Sequence, residues 1–251
     1  MVIELFSYSL SIIDIVLIAV SASLIGMAKT GIHGTGMLTV PIMAIIFGGK
    51  ASSGLVLPML IMADLFAVYY YHRHANWHYL VKLFPSAAVG VVIATIFGQF
   101  INDDVFVQIM AVIIFLSLGL MIWMEQRKRG SIPDYYWFAV LMGTLGGFTT
   151  MIGNLAGPVM ALYLLSMRLP KNEYIGTAAW FFLAINLFKV PFHVFSWETI
   201  TWSSVFLNIV TLPFIAVGAY LGIYLVKRIS DNNYRWLVIV MTAMAALSLL
   251  I

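Results

Sequence analysis

Apolar residues dominate this chain in long uninterrupted runs, and each run ends at glycine, proline or a small group of charges. The runs are too long and too uniformly apolar for the alternating strands of a barrel, and an open sheet edge cannot satisfy its backbone in lipid, so they predict helices. A span needs roughly 17 to 25 such residues. Ten segments are predicted on that basis: 9–28, 34–48, 52–71, 80–100, 105–124, 135–152, 155–167, 174–195, 201–226 and 234–251. The second and the seventh are short.

Composition turns this pattern into a class. The chain is 63% hydrophobic and 9% charged, with a mean hydropathy of +1.02. Soluble domains carry about 25% charged residues, so this one could not keep a water-facing surface hydrated. It reads as an integral membrane protein. The absence of cysteine excludes a disulfide scaffold, a thiolate metal site and a thiol nucleophile. No basic stretch precedes the first segment, since the first basic residue of the chain is Lys29, so the segment is expected to be retained rather than cleaved.

The net charge of +3 is spread through the inter-helix loops, which argues for topology and against nucleic-acid binding. Alternate loops are lopsided. One side collects Lys29, Arg73, Lys82, Arg127, Lys128, Arg129, Arg168, Lys171, Lys227, Arg228 and Arg235; the other has Lys50, Glu4, Asp103, Asp104 and Glu198, with Lys189 if it leaves its helix. The basic side is cytoplasmic by the positive-inside rule, which predicts a multi-pass protein of the cytoplasmic (inner) membrane with both termini outside the cytoplasm.

Self-comparison predicts a duplication. Gly26, Gly36, Pro41, Met43 and Ala44 stand 117 residues before Gly143, Gly153, Pro158, Met160 and Ala161. Gly54, Asp64, Leu65 and Phe66 stand 122 before Gly176, Asn186, Leu187 and Phe188, and "PSAAVG" at 85–90 stands 128 before "PFIAVG" at 213–218. Each half then holds five segments, an odd number, so the halves enter the membrane from opposite faces. The fold class expected is all-α: a polytopic membrane protein of two inverted repeats, 1–124 and 135–251, joined by the basic linker 125–134, with broken or re-entrant helices.

The breaks are predicted in "GMAKTGIHGTGMLTVP" (26–41) and "GTLGGFTTMIGNLAGP" (143–158). A glycine inside a helix costs about 1 kcal/mol relative to alanine and a proline about 3, so these clusters interrupt it. Unwound backbone at membrane depth must be buried or face water. The N–H groups and positive dipole end of the returning helix make an anion site without a dedicated side chain. The candidate contacts are Lys29, Thr30, Gly31, His33, Gly34, Thr35 and Gly36 in the first break, with the Thr39 hydroxyl as a further donor. In the second they are Thr149, Thr150, Gly153 and Asn154. Lys29 has two readings: an interfacial lysine if its segment crosses fully, or a charge near the midplane that needs an anionic partner if the segment turns back. Its repeat equivalent is Gly146, so the charge is asymmetric.

Asp64 and Asn186 are polar side chains at matching positions of the third and eighth segments. Asp64 is the candidate for proton coupling, or else an interhelical hydrogen-bonding group. Asn186 is also a candidate substrate contact, and Lys189, three residues after it and hence near it on a helix face, is a candidate to pair with substrate. His72, His74 and His78 lack a carboxylate or cysteine companion and sit beside Tyr69 to Tyr71 and Trp77, which reads as an aromatic belt rather than a metal site. No cofactor is implied.

The run "GIHGTGMLTVP", its partner "GNLAGPVMALYLL", the "GTAAW" of the eighth segment and the two proline-led "AVG" helices resemble the TauE/SafE family, nearly end to end. His33 and Thr35 depart from that family's glycine run. The resemblance implies a secondary transporter that exports small sulfur anions, such as sulfite or an organosulfonate like sulfoacetate. Its partners are then a small anionic substrate and the lipid bilayer, not nucleic acid; the oligomeric state stays open. An anion channel would share the glycine breaks without needing a proton-carrying carboxylate. An intramembrane enzyme fits less well: there is no H-E-x-x-H, G-x-S-x-G or P-loop run and no intramembrane carboxylate pair.

Overall fold

The computed structural model describes residues 2–106 and 135–230, with isolated positions within 108–119 and 233–240. The linker 125–134 and most of the predicted segments 105–124 and 234–251 lie outside the described residues.

The chain opens on a hairpin that the apolar pattern missed. Strands β1 (Val2–Leu5) and β2 (Tyr8–Ser11) pair antiparallel, with Leu5 opposite Tyr8. The connecting Phe6 and Ser7 both have positive φ, 50° and 69°, as a tight two-residue hairpin requires. Residues 9–11, predicted as helical, are therefore strand. The helix starts only where a cap exists: Ser11 Oγ accepts the Asp14 N–H at 3.1 Å, and the Ser11 N–H donates to Asp14 Oδ2 at 2.8 Å.

Helix α1 (Ile12–Lys29) follows, then a 3-10 turn (Thr35–Leu38) running into α2 (Thr39–Phe47). Next come α3 (Gly49–Tyr71), extended by a 3-10 turn at His72–His74, and α4 (Trp77–Phe97). The second half described comprises α5 (Tyr136–Gly153), α6 (Ala156–Ser166), α7 (Lys171–Pro191) with a π turn at Phe192–Ser196, and α8 (Trp202–Val226). Among the described residues six helices are long and apolar enough to cross a membrane, whereas Thr35–Phe47 and Ala156–Ser166 are too short. The protein is a multi-pass, helical membrane protein, and its short helices fall where the sequence predicted interrupted segments. Its outer faces carry exposed Ile13, Ile45, Val81 and Val217, as a lipid-facing surface requires.

Two close helix pairs frame the molecule. Along α1 and α8, Ser23 meets Gly218, Gly26 meets Ile215 and Ala219, and Met27 meets Gly222, so these helices run parallel with their backbones touching. Along α4 and α5, Leu83 and Ser86 meet Gly143, Ala87 meets Gly147, and Gly90 meets Thr144, again parallel. Glycine is what permits the approach, since apolar packing in lipid gains from close backbones rather than from water exclusion. Between the pairs, α3 and α7 run antiparallel: Gly176 contacts Tyr71 and His74, and Asn186 contacts Asp64. One apolar cluster draws on α1, α2, α3 and α8, the other mainly on α4 to α7. The α3–α7 contact lies along the seam.

Candidate functional site

Both interrupted helices break at residues whose backbone suits the turn. The first turn, residues 30–34, holds Gly31 at φ 144° and Gly34 at φ 102°, a region that side chains other than glycine rarely adopt. It packs against Val226 and Ile175, at the end of α8 and the start of α7. The second break is capped by Asn154 at φ 60°, the left-handed conformation that asparagine tolerates. The Asn154 amide donates to Ser53 O at 2.9 Å, in the first turns of α3.

A buried polar chain joins the two breaks. Lys29 Nζ, at the end of α1, lies 2.9 Å from Asp64 Oδ1 and 3.9 Å from the Phe182 ring centroid. Asn186 Nδ2 donates to Asp64 Oδ2 at 2.7 Å. Lys189 Nζ then donates to Asn186 Oδ1 (3.2 Å), Thr150 Oγ1 (3.1 Å) and Asn154 Oδ1 (2.7 Å). The two α3 positions at its ends, Asp64 and Ser53, are 11 residues apart, or about 16 Å at 1.5 Å per residue. Asp64, Asn186 and Lys189 are all at most 1% exposed. Polar groups at that depth are costly unless each finds a partner, and here each one does.

Beside this chain lies a cavity of about 60 Å³ lined by Lys29, His33, Gly34, Gly36 and Thr39 from the first break and Thr150, Asn154 and Gly157 from the second, with Asn186, Phe182, Val56 and Leu60 from α3 and α7. That is several times what one water requires. Gly36 and Gly157 each belong to the first turn of a short helix, where N–H groups lack intrahelical acceptors and the dipole is positive. In the first of these turns the Thr35 N–H bonds Ile32 O and the Met37 N–H bonds Gly34 O. Met37 also borders Gly157, so the two helix starts meet. One lysine and two helix N-termini therefore bring positive potential to one apolar-walled space, beside amide and hydroxyl groups that already bond within the protein.

The family profile for sulfite exporter TauE/SafE matches residues 15–249. The chain belongs to the TauE/SafE family. No characterised protein and no solved structure gives a significant match. As a TauE/SafE protein it falls in a family of membrane transporters for sulfite and related anions, in keeping with the resemblance read from its glycine-rich runs.

The predicted contact residues of this TauE/SafE protein divide into three groups. Lys29, His33, Gly34, Gly36, Thr150, Asn154 and Asn186 line the cavity, as does Thr39. Asp64 and Lys189 stand behind it, each bonded to a lining residue. The rest have backbone duties. Thr30 Oγ1 donates to Gly26 O and Ala219 O, Thr35 Oγ1 to Ile32 O, and Thr149 Oγ1 to Gly146 O. Gly31 O accepts the Tyr234 hydroxyl at 2.6 Å, and Gly153 closes α5. His33 Nδ1 lies 2.7 Å from the same Tyr234 hydroxyl.

Sequence reasoning missed Phe182, Gly157, Val56 and Leu60. Phe182 was recoverable, because it stands four residues before Asn186 and seven before Lys189, the spacing of one helix face. Tyr234 carried no such signal; its approach to Gly31 joins residues 203 positions apart.

Proposed function

We propose that the protein is a secondary transporter that binds one small sulfur anion, of the sulfite or organosulfonate class, in the cavity between the two breaks and exports it across the cytoplasmic membrane by alternating access. The observation that carries this reading is the convergence of Lys29 and the first turns of two short helices, at Gly36 and Gly157, on a single cavity. The loop charges favour both termini outside the cytoplasm. An inverted duplication, 1–124 against 135–251, is supported by reciprocal pairing. The first helix of each half, α1 or α5, packs on the fourth helix of the other, α8 or α4. A polar chain running from one break to the other suits a site exposed alternately through either break.

Purified protein in liposomes is expected to show saturable uptake of labelled sulfite, competed by unlabelled sulfite, with counterflow against preloaded anion. Counterflow marks a carrier; a channel gives only downhill flux. Gly36→Val is the site control. A Cβ there would meet a single neighbour, Ala28 Cβ at 3.0 Å, so the crowding is local to the cavity wall and the variant should elute as folded protein and lose uptake. Absence of saturable flux for wild type, or full flux in a folded Gly36→Val protein, rejects the assignment.

Proton coupling through Asp64 is a separate claim. The contacts favour a carboxylate that serves as the counter-ion of Lys29, since one oxygen faces Lys29 and the other accepts from Asn186. On that reading an imposed pH gradient leaves the initial rate of uptake of a permanently ionised sulfonate unchanged. Acceleration that Asp64→Asn abolishes assigns Asp64 to proton transfer instead.

A further inference from the structure

Among the described residues no carboxylate touches Lys189; the only Lys–carboxylate contact of the cluster is Lys29 with Asp64. Lys189 Nζ is fully buried and meets three neutral oxygens, of Thr150, Asn154 and Asn186. Three acceptors match the three N–H donors of an ammonium group, which has no lone pair to offer. Thr150, Asn154 and Asn186 also line the cavity, so the ammonium stands one side chain away from any bound ligand. Counting Lys29 and Lys189 against Asp64 leaves one excess positive charge beside the cavity.

We infer that this cluster, Lys29, Asp64 and Lys189 around the cavity, selects a singly charged oxyanion over a doubly charged one. The inference rests on the anion-transport reading above and deepens it. One negative charge brings the occupied site to neutrality, whereas a second replaces an excess cation by an excess anion at the same depth, with no further cation to meet it. The sulfur anion taken is then hydrogen sulfite or a sulfonate, not the sulfite dianion or sulfate. Lys189 and Asp64 act here as specificity-setting residues, through charge rather than through contact with the ligand. His33 lines the cavity in every variant below and so cancels from the comparison.

The test is competition against labelled sulfite uptake in proteoliposomes by methanesulfonate and by sulfate, which differ by a methyl group in place of one charged oxygen. In wild type, methanesulfonate should compete at least about tenfold better, since a unit charge several ångströms away at an effective dielectric near 20 shifts binding by that much or more. Asp64→Asn raises the cluster to two excess positives and should move the preference about tenfold toward sulfate, again from one unit of charge. Lys189→Gln brings it to zero and should weaken both competitors. The double variant Asp64→Asn/Lys189→Gln returns the count to one and should restore the wild-type preference, which loss of structure could not do. If Asp64→Asn fails to elute as folded protein, the wild-type ratio and Lys189→Gln, which keeps the Lys29–Asp64 pair, still decide: competition in Lys189→Gln as strong as in wild type overturns the inference. Sulfate competing as well as methanesulfonate in wild type, or a folded Asp64→Asn or double variant whose preference does not follow the count, overturns the inference. Uptake that is saturable but blind to competitor charge sinks this inference alone; no saturable sulfite uptake in wild type sinks the transport reading beneath it.

Discussion

Lys29→Met is expected to destabilise the protein severely, and Lys29→Met/Asp64→Asn to recover most of that loss while remaining inactive. Asp64 is fully buried and, among the described residues, Lys29 is the only cation in direct contact with it, with the Phe182 face beneath the ammonium. Removing one member of a buried pair leaves the other charged and unpaired, at a cost of about 3–5 kcal/mol. For a chain of this length each kcal/mol is worth roughly 2–4 °C of melting temperature, so the single variant should melt about 6–20 °C lower. Asparagine at 64 removes the stranded charge and can keep its hydrogen bond with Asn186, which is why the double variant should melt near wild type. It should still fail to take up sulfite, because no cation then lines the cavity. Thermal melting of the purified proteins and liposome uptake measure the two halves separately. A single variant that melts within a degree of wild type would mean that Lys29 belongs to the interface, and uptake by the double variant would remove Lys29 from the anion site.

Much of the fold was legible because lipid leaves few options. Apolar runs had to be helices, and the short segments at 34–48 and 155–167 appear as Thr35–Phe47 and Ala156–Ser166 within a few residues. The glycine clusters bracketed both breaks, but Gly143 and Gly147 lie inside α5, where they admit α4 rather than interrupt the helix; the break comes only after Gly153. Residues 9–11 were misread for a physical reason. Apolar content does not separate a short strand from the first turns of a helix, and the decision falls to the Phe6–Ser7 turn and the Ser11–Asp14 cap.

The site was legible in its parts and not in its wiring. Asp64 and Asn186 stand opposite each other in the self-comparison, and they are hydrogen-bonded at 2.7 Å. Nothing in the sequence said that Lys29 pairs with Asp64, 35 positions away, or that Lys189 collects three neutral acceptors instead of a carboxylate. The threonines mislead in the opposite direction. A hydroxyl in a glycine-rich break is satisfied as readily by a carbonyl three or four residues back as by a ligand, and Thr30, Thr35 and Thr149 all take that option.

Gly146→Ala and Gly147→Ala, neighbours on α5, should behave oppositely. A Cβ at Gly147 would stand 1.9 Å from Ala87 O, a backbone atom that no rotamer change can move, so α4 and α5 must part along their whole contact. Overpacking of this kind costs about 1–3 kcal/mol where side chains can yield and more where they cannot. Gly147→Ala should therefore lower the melting temperature by at least about 6 °C at the 2–4 °C per kcal/mol of a chain this size. At Gly146 the nearest neighbour is Met160 Sδ at 3.8 Å, an ordinary contact, and alanine gains up to about 1 kcal/mol of helix propensity there. That variant should melt at or slightly above wild type. The same logic applies to the α1–α8 contact, where a Cβ at Gly218 would meet Ser23 O at 1.9 Å, so Gly218→Ala should fall with Gly147→Ala. In lipid there is little solvent drive to press separated helices back together, so a pair pushed apart loses its dispersion contacts without compensation. If Gly146→Ala and Gly147→Ala shift the melting temperature equally, the close backbone approach at Ala87 is not what holds this pair together.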